Sequence, residues 1–365
     1  VDKYADIRPY NDDEVPAALD RLLADEQFLD VIAEHNLPKW IASFAAISRP
    51  LVKARLKSKW KTVNNVEAVQ NEVAQYLSML VERTTSKVTY SGLERLDKNA
   101  AYLFISNHRD IVLDPALVNW GLHQNNLPTV RIAIGDNLLQ VPYITELMRL
   151  NKSFIVKRSA KAPKEMLKAL SQLSGYIYDS LQEGNSIWIA QKEGRAKDGI
   201  DYTDPALLKM LQLQGRRLKE PFADYVRKLK VVPVSISYQY EPCALAKAKE
   251  LYHKQQFGEY QKEEGEDIKS IIDGFSADKG NVHVAFGTPI EDDFETPEEL
   301  AQIIDKQIID NYYLHSTNYL AAGEQANSSS EETERFKQNI ETLPNELKEF
   351  VLSMYAQPVK RKSSI

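Results

Sequence analysis

From residue 87 to residue 286 the sequence sets short apolar runs between stretches of helical period, and few architectures accommodate that order. The runs at 87–90, 101–105, 130–134, 154–156, 186–190, 230–237 and 281–286 are short enough, and bounded sharply enough, to be buried strands. Helical period follows at 115–121, 163–180, 205–213 and 297–313, and each of these stretches opens on a proline, a residue suited to a first helical turn. The last also carries Glu298 and Glu299 in its first turn, where acids favour the helix dipole. Strand–helix alternation predicts an α/β fold with a mostly parallel central sheet flanked by helices.

Residues 1–86 read differently. Leu19, Leu22, Leu23, Phe28, Leu29 and Ile32 share a helical spacing that predicts one segment over 14–35. A second segment, 50–60, is basic through Lys53, Arg55, Lys57 and Lys59, with Lys61 just beyond; a third covers 66–81. Between the first two, 37–47 is apolar, contains Trp40 and is too short to span a bilayer. It either packs on the core or lies on a membrane surface. Residues 323–334 have a linker's composition of Ala, Gly, Ser, Asn and Glu, and one helix is expected in the tail from Phe336. The expected organisation is a helical N-terminal region at 1–86, an α/β domain at 87–322, and a linker with a helical tail at 323–365.

The net charge of −6 argues against a general nucleic-acid binder. Yet residues 152–168 hold six cations (Lys152, Lys157, Arg158, Lys161, Lys164 and Lys168) against the single acid Glu165, which suggests a local anionic ligand. The opening residues lack the apolar core of a secretory signal, and a single cysteine, Cys243, fits a reducing compartment. A cytoplasmic protein is expected, with peripheral contact at the inner face of the membrane. Cys243 itself reads as a small packing residue.

No Gly-x-Ser-x-Gly elbow, Walker A loop, Gly-x-Gly-x-x-Gly fingerprint, His-Glu-x-x-His or cysteine pair is present, so serine-elbow hydrolysis, nucleotide-driven chemistry and zinc lose their usual signatures. His108 remains. It follows an apolar run, and an Asp114-Pro115 pair lies about one turn beyond it. A histidine so placed is the side chain best suited to take a proton near neutral pH, and a neighbouring carboxylate fixes its tautomer.

Four segments occur in order: Asn107-His108-Arg109-Asp110-Ile111-Val112-Leu113-Asp114-Pro115, then Phe154-Ile155-Val156-Lys157-Arg158, then Lys192-Glu193-Gly194-Arg195, then Val231-Val232-Pro233-Val234-Ser235. Together they resemble the glycerophospholipid acyltransferases, which include glycerol-3-phosphate and 1-acylglycerol-3-phosphate acyltransferases. The resemblance runs over about 88–290. It departs in two places. The family separates its histidine and aspartate by four residues, whereas five intervene before Asp114; the following Pro115 favours Asp114 as the orienting acid, with Asp110 the other candidate. The family's Glu-Gly-Thr-Arg is here Glu193-Gly194-Arg195.

The resemblance implies transfer of a fatty acyl chain from acyl-CoA or acyl-carrier protein, as co-substrate, to the hydroxyl of a phosphorylated glycerol. No separate cofactor and no covalent enzyme intermediate are expected, and lysophosphatidate is slightly favoured over glycerol 3-phosphate. It implies that His108 and Asp114 are catalytic, and that Asn107, Lys157, Arg158, Glu193, Gly194 and Arg195 bind substrate. Gly194 is expected to let backbone approach closely. Two alternatives remain open at this point: a non-catalytic lipid-binding protein on the same scaffold, and acyl transfer to an acceptor other than glycerol, such as an aminolipid.

Overall fold

The computed structural model describes residues 2–160, 162–263 and 265–364; Lys161, part of the basic run, lies outside the described residues. The fold is α/β, with a mostly parallel central sheet flanked by helices and a helical N-terminal region. Each expected apolar run supplies one strand: β1 (Lys87–Ser91), β2 (Leu103–Ser106), β3 (Arg131–Gly135), β4 (Ser153–Val156), β5 (Ile187–Ala190), β6 (Val231–Tyr238) and β7 (Asn281–Phe286). The four helices expected between or after them are also present, at Leu113–Gln124, Pro163–Gln182, Pro205–Leu218 and Pro297–Asn311. The chain forms two compact units, Val1–Tyr76 with Arg131–Ala169, and Leu77–Val130 with Leu170–Ile365.

In the first unit the segment expected over 14–35 is two helices, Val15–Ala24 and Glu26–Asn36. Asp25 divides them. Its backbone is extended and its carboxylate accepts the Phe28 amide at 2.8 Å, so a cap competes successfully with helix continuation. Leu19, Leu22, Phe28, Leu29, Val52, Leu56 and Leu150 form the core. The basic helix starts at Ala45, ahead of Pro50, and ends at Lys59. β3 and β4 pair in parallel.

In the second unit the strand order is β1-β7-β6-β2-β5. β6, β2 and β5 are mutually parallel, β1 is parallel to β7, and β7 runs antiparallel to β6. Every residue of β6 is buried, although it contains Pro233, which cannot donate to a ladder. The Pro233 carbonyl accepts the Gly287 amide at 2.8 Å, so the proline nitrogen faces that same side, just past the last β6–β7 pair at Val234 and Phe286. The missing donor falls where the ladder has already ended.

The tail departs from expectation. Ser329 and Glu332 form a capping box that starts a helix at Ser330–Glu341, and a second helix follows at Asn345–Lys362. Phe336, Leu347, Val351 and Tyr355 bury against Ala248. Composition suggested a linker because Ser, Asn and Glu are common in both linkers and caps.

If the tail is core, Leu347→Ala costs about 2–5 kcal/mol, read as a lower urea midpoint. A change within about 0.5 kcal/mol would make it a surface appendage.

Candidate functional site

Because β6, β2 and β5 are adjacent and parallel, the residues that follow them emerge at one carboxyl edge of the sheet, where open α/β sheets bind ligands. β2 is buried throughout and ends at Ser106. Beyond it, Asn107 continues the pairing with its side chain: Oδ1 accepts the Ile236 amide at 2.8 Å and Nδ2 donates to the Ile236 carbonyl at 2.9 Å. Nδ2 also lies 3.3 Å from Asp201 Oδ2. Only an amide side chain can donate and accept in this way. The anchor fixes the backbone from which His108 projects, so Asn107 is placed as scaffold for the histidine.

His108 Nδ1 lies 2.8 Å from Asp114 Oδ2. The same oxygen accepts the amides of Arg109 at 2.6 Å and Asp110 at 2.9 Å, and Oδ1 accepts the Tyr238 hydroxyl at 2.7 Å. Burial alone would push this carboxyl up, but the hydrogen bonds from His108, Tyr238 and the Asp110 amide hold it below its ordinary value. Asp114 is thus an ionised acceptor, so the proton sits on Nδ1 and the Nε2 lone pair is free to act as a base. The histidine side chain is 13% exposed, packed edge-on against Trp188 with centroids 5.7 Å apart. Its ring is held, yet reachable.

Between the two aspartates the geometry favours Asp114. Asp110 instead accepts the amides of Val112 at 3.0 Å and Leu113 at 2.8 Å, closing the turn that leads into the helix Leu113–Gln124. Burial, followed by the nearby Asp114 charge, pushes the Asp110 carboxyl up. The extra residue in the spacing is absorbed by this turn.

Behind the pair lies a buried charge network that sequence reasoning missed. Arg109, the largest of the fully buried side chains, meets Asp201 at 2.5 Å and Glu241 at 3.4 Å. Lys247 Nζ donates to Glu241 and to the Arg109 carbonyl, both at 2.7 Å. Burial would raise Glu241, but Lys247 and then Arg109 keep it below the usual carboxylate range. The C-terminal helix supports the same network. The Tyr355 hydroxyl accepts the Glu241 amide at 2.8 Å, and Arg361 donates to the Asp201 carbonyl. Arg109 sits beside the motif histidine and could have been questioned from the sequence; Asp201, Glu241 and Lys247 carry no local signature.

The Glu193-Gly194-Arg195 loop follows β5 and is tied to the histidine loop. The Gln191 amide donates to the Ser106 carbonyl at 2.8 Å and the Ala196 amide to the His108 carbonyl at 2.9 Å. Gly194 has φ +76°, yet a Cβ there would meet nothing within 4 Å. That left-handed backbone favours glycine at this position. Glu193 is exposed, whereas Arg195 buries Nη1 without a hydrogen-bond partner and reaches the Cys243 thiol, which burial pushes up. Cys243 donates to the Ser270 carbonyl at 3.4 Å.

Lys157 and Arg158 belong to the first unit. There Lys157 pairs with Asp6, the Arg158 amide donates to Asp136 at 3.1 Å, and the Arg158 guanidinium lies over Gly135.

Two outcomes follow. Since the folded Asp114 titrates below its ordinary value of about 3.9, its stabilising share is complete above that pH and is lost as pH falls through the lowered value. Urea unfolding below about pH 4 should show a shallower loss of stability in Asp114→Asn than in the wild type; equal slopes would place the linked protons elsewhere. Lys247→Met leaves a buried carboxylate underpaired and should cost about 3–5 kcal/mol in the same assay. A loss under about 1 kcal/mol would mean that the network is effectively solvated.

A sequence model of the acyltransferase family matches residues 87–239, a span holding every expected site residue from Asn107 to Arg195. No curated protein matches. Among solved structures, the chain is similar to the 1-acyl-sn-glycerophosphate (LPA) acyltransferase PlsC from Thermotoga maritima, with a TM-score of 0.40 and 16% identity, over 67% of this chain and 78% of that one. Residues 87–239 are thus similar to the acyltransferase family, and the His108–Asp114 pair lies within the matched span.

Proposed function

We propose that the protein transfers a fatty acyl chain from acyl-CoA or acyl-carrier protein to a hydroxyl of a phosphorylated glycerol, with lysophosphatidate slightly ahead of glycerol 3-phosphate. The observation that carries this reading is the 2.8 Å contact between His108 Nδ1 and a buried Asp114, which leaves Nε2 as the base. Nε2 takes the acceptor hydroxyl proton while the oxygen attacks the thioester carbonyl. The tetrahedral adduct collapses, the carbon–sulfur bond breaks, and the departing thiolate takes the proton from the imidazolium. His108 begins and ends neutral, and no acyl-enzyme forms.

The family resemblance supports phosphate-binding roles for Arg158, Lys157 and Arg195, whose donors suit an anion, and acceptor positioning for Glu193. The five-residue spacing between His108 and Asp114 leaves the histidine–carboxylate contact intact at 2.8 Å. Among the described residues no helix is long and apolar enough to cross a membrane. The setting proposed is a cytoplasmic protein working at the inner face of a membrane, where a lysophosphatidate acceptor resides.

Thiol release from palmitoyl-CoA, with lysophosphatidate or glycerol 3-phosphate as acceptor, tests the assignment. Acceptor-dependent release should fall at least about a hundredfold in His108→Ala, and the faster acceptor names the substrate. Full activity in the variant would sink the mechanism.

A further inference from the structure

Because β1 and β7 run against β6, β2 and β5, their carboxyl ends lie at the opposite edge of the sheet from His108. A second histidine is held there, and acyl transfer at His108 makes no use of it. Thr89 and Ser91, two apart on the edge strand β1, face the same side, and His283 of β7 is the register partner of Thr89. His283 Nδ1 lies 2.7 Å from Thr89 Oγ1, and Nε2 lies 3.0 Å from Ser91 Oγ.

The protons available set the direction of both bonds. Thr89 donates its single hydroxyl proton to the Val282 carbonyl at 3.3 Å, so Oγ1 accepts from Nδ1–H. The lone pair is then on Nε2, and Ser91 donates to it. Burial holds the His283 pKa below its ordinary value, so the ring is neutral at pH 7 and able to take that proton. It also packs against Tyr313, with centroids 5.3 Å apart. Ser91 itself is exposed. The chain turns sharply just past it. Gly92 has φ +85°, and a Cβ there would strike the Phe286 carbonyl, so only glycine suits the turn that presents the serine.

A nucleophile also needs a place for its substrate. Ser91 lines a pocket of about 630 Å³, a size that holds small molecules. Leu93 and Leu127 give it apolar wall, and Lys98 and Asn126 carry exposed donors of the kind an oxyanion needs. Glu94 and Asp97 outnumber Lys98 on that wall, which disfavours anions such as a CoA thioester or a glycerol phosphate.

We propose that Ser91 and His283 form a second reactive centre, a serine nucleophile with its histidine base, which hydrolyses small uncharged carboxylic esters. Nε2 takes the Ser91 proton as Oγ attacks the ester carbonyl. The carbon–oxygen bond to the alcohol breaks, the alcohol leaves with that proton, and the acyl group stays on Ser91. Water then gives a proton to Nε2 while its oxygen attacks the acyl carbon, and Ser91 departs with the proton. Thr89 is a positioning residue that fixes the tautomer. The centre shares no residue with the His108 site, so it stands or falls apart from the acyl-transfer reading.

The full chain is treated with a fluorophosphonate probe and, separately, with p-nitrophenyl acetate, and adducts are located by peptide mass spectrometry. A phosphonyl adduct is expected on Ser91. Ester hydrolysis should fall about a hundredfold or more in Ser91→Ala and in His283→Gln, while His108→Ala hydrolyses at the wild-type rate. Palmitoyl-CoA turnover with lysophosphatidate should be unchanged in Ser91→Ala. Because Ser91 is exposed at a strand end, that variant carries the test even where His283→Gln melts early. No adduct on Ser91 overturns the proposal, as does hydrolysis that persists in Ser91→Ala or is lost instead in His108→Ala. Equally fast labelling of Ser91 in a folded His283→Gln overturns it too, since the serine would then be reacting without its base.

Discussion

A carboxylate buried as deeply as Asp114 survives only if the protein replaces the water it has lost. Much of the site follows from that demand. Its donors are the His108 ring, two successive amides at Arg109 and Asp110, and the Tyr238 hydroxyl at the end of β6. They bring together the loop after β2, the start of the next helix and the end of a neighbouring strand. Each donor favours the ionised form, and the ionised form in turn fixes the histidine tautomer. Orientation and protonation state are therefore one problem with one solution. The added residue between His108 and Asp114 is tolerated because the turn offers its backbone amides to the same oxygen.

Successive residues in the loop face opposite ways, and the chemistry divides accordingly. His108 reaches the surface, while Arg109 enters an interior where a lone guanidinium would be costly. Two carboxylates and a second cation accompany it, and the balance of two positive and two negative charges keeps the network neutral. Lys247 does more than complete that balance, because its bond to the Arg109 carbonyl holds the backbone next to the histidine. The C-terminal helix closes the arrangement from outside through Tyr355 and Arg361. Atoms of the network such as Arg109 Nε and Asp201 Oδ1 still have no hydrogen-bond partner, a sign that position has taken precedence over complete polar satisfaction.

What could be read in the sequence was whatever is local. The strands were legible because short apolar runs between breakers have few other uses, and the histidine–aspartate pair because its members lie six residues apart. The buried network was not. Arg109 finds Asp201 and Glu241 at separations of 92 and 132 residues, and no periodicity records such a meeting. Asp25 ended a helix that apolar spacing alone would have continued, since spacing registers the buried face and ignores a carboxylate capping the next turn. Ser329 and Glu332 did the reverse, starting a helix inside a stretch whose composition matched a linker. The clustering of 131–169 with 1–76 likewise has no local mark; it is settled by packing.

The formal charge of the chain is a poor guide to what either unit meets. By residue type, the first unit has 18 lysines and arginines against 15 acids, a net of +3, so the remainder of the chain carries −9 of the total −6. The positive excess is concentrated in the acid-free stretch 35–66 and the run 152–168, and a charge in physiological salt is felt mainly within a Debye length of about 8–10 Å. Over that distance an anion responds to the patch and not to the average. An overall acidic protein can in this way repel polyanions in bulk while one unit attracts anions at short range, with the attraction weakening as salt rises.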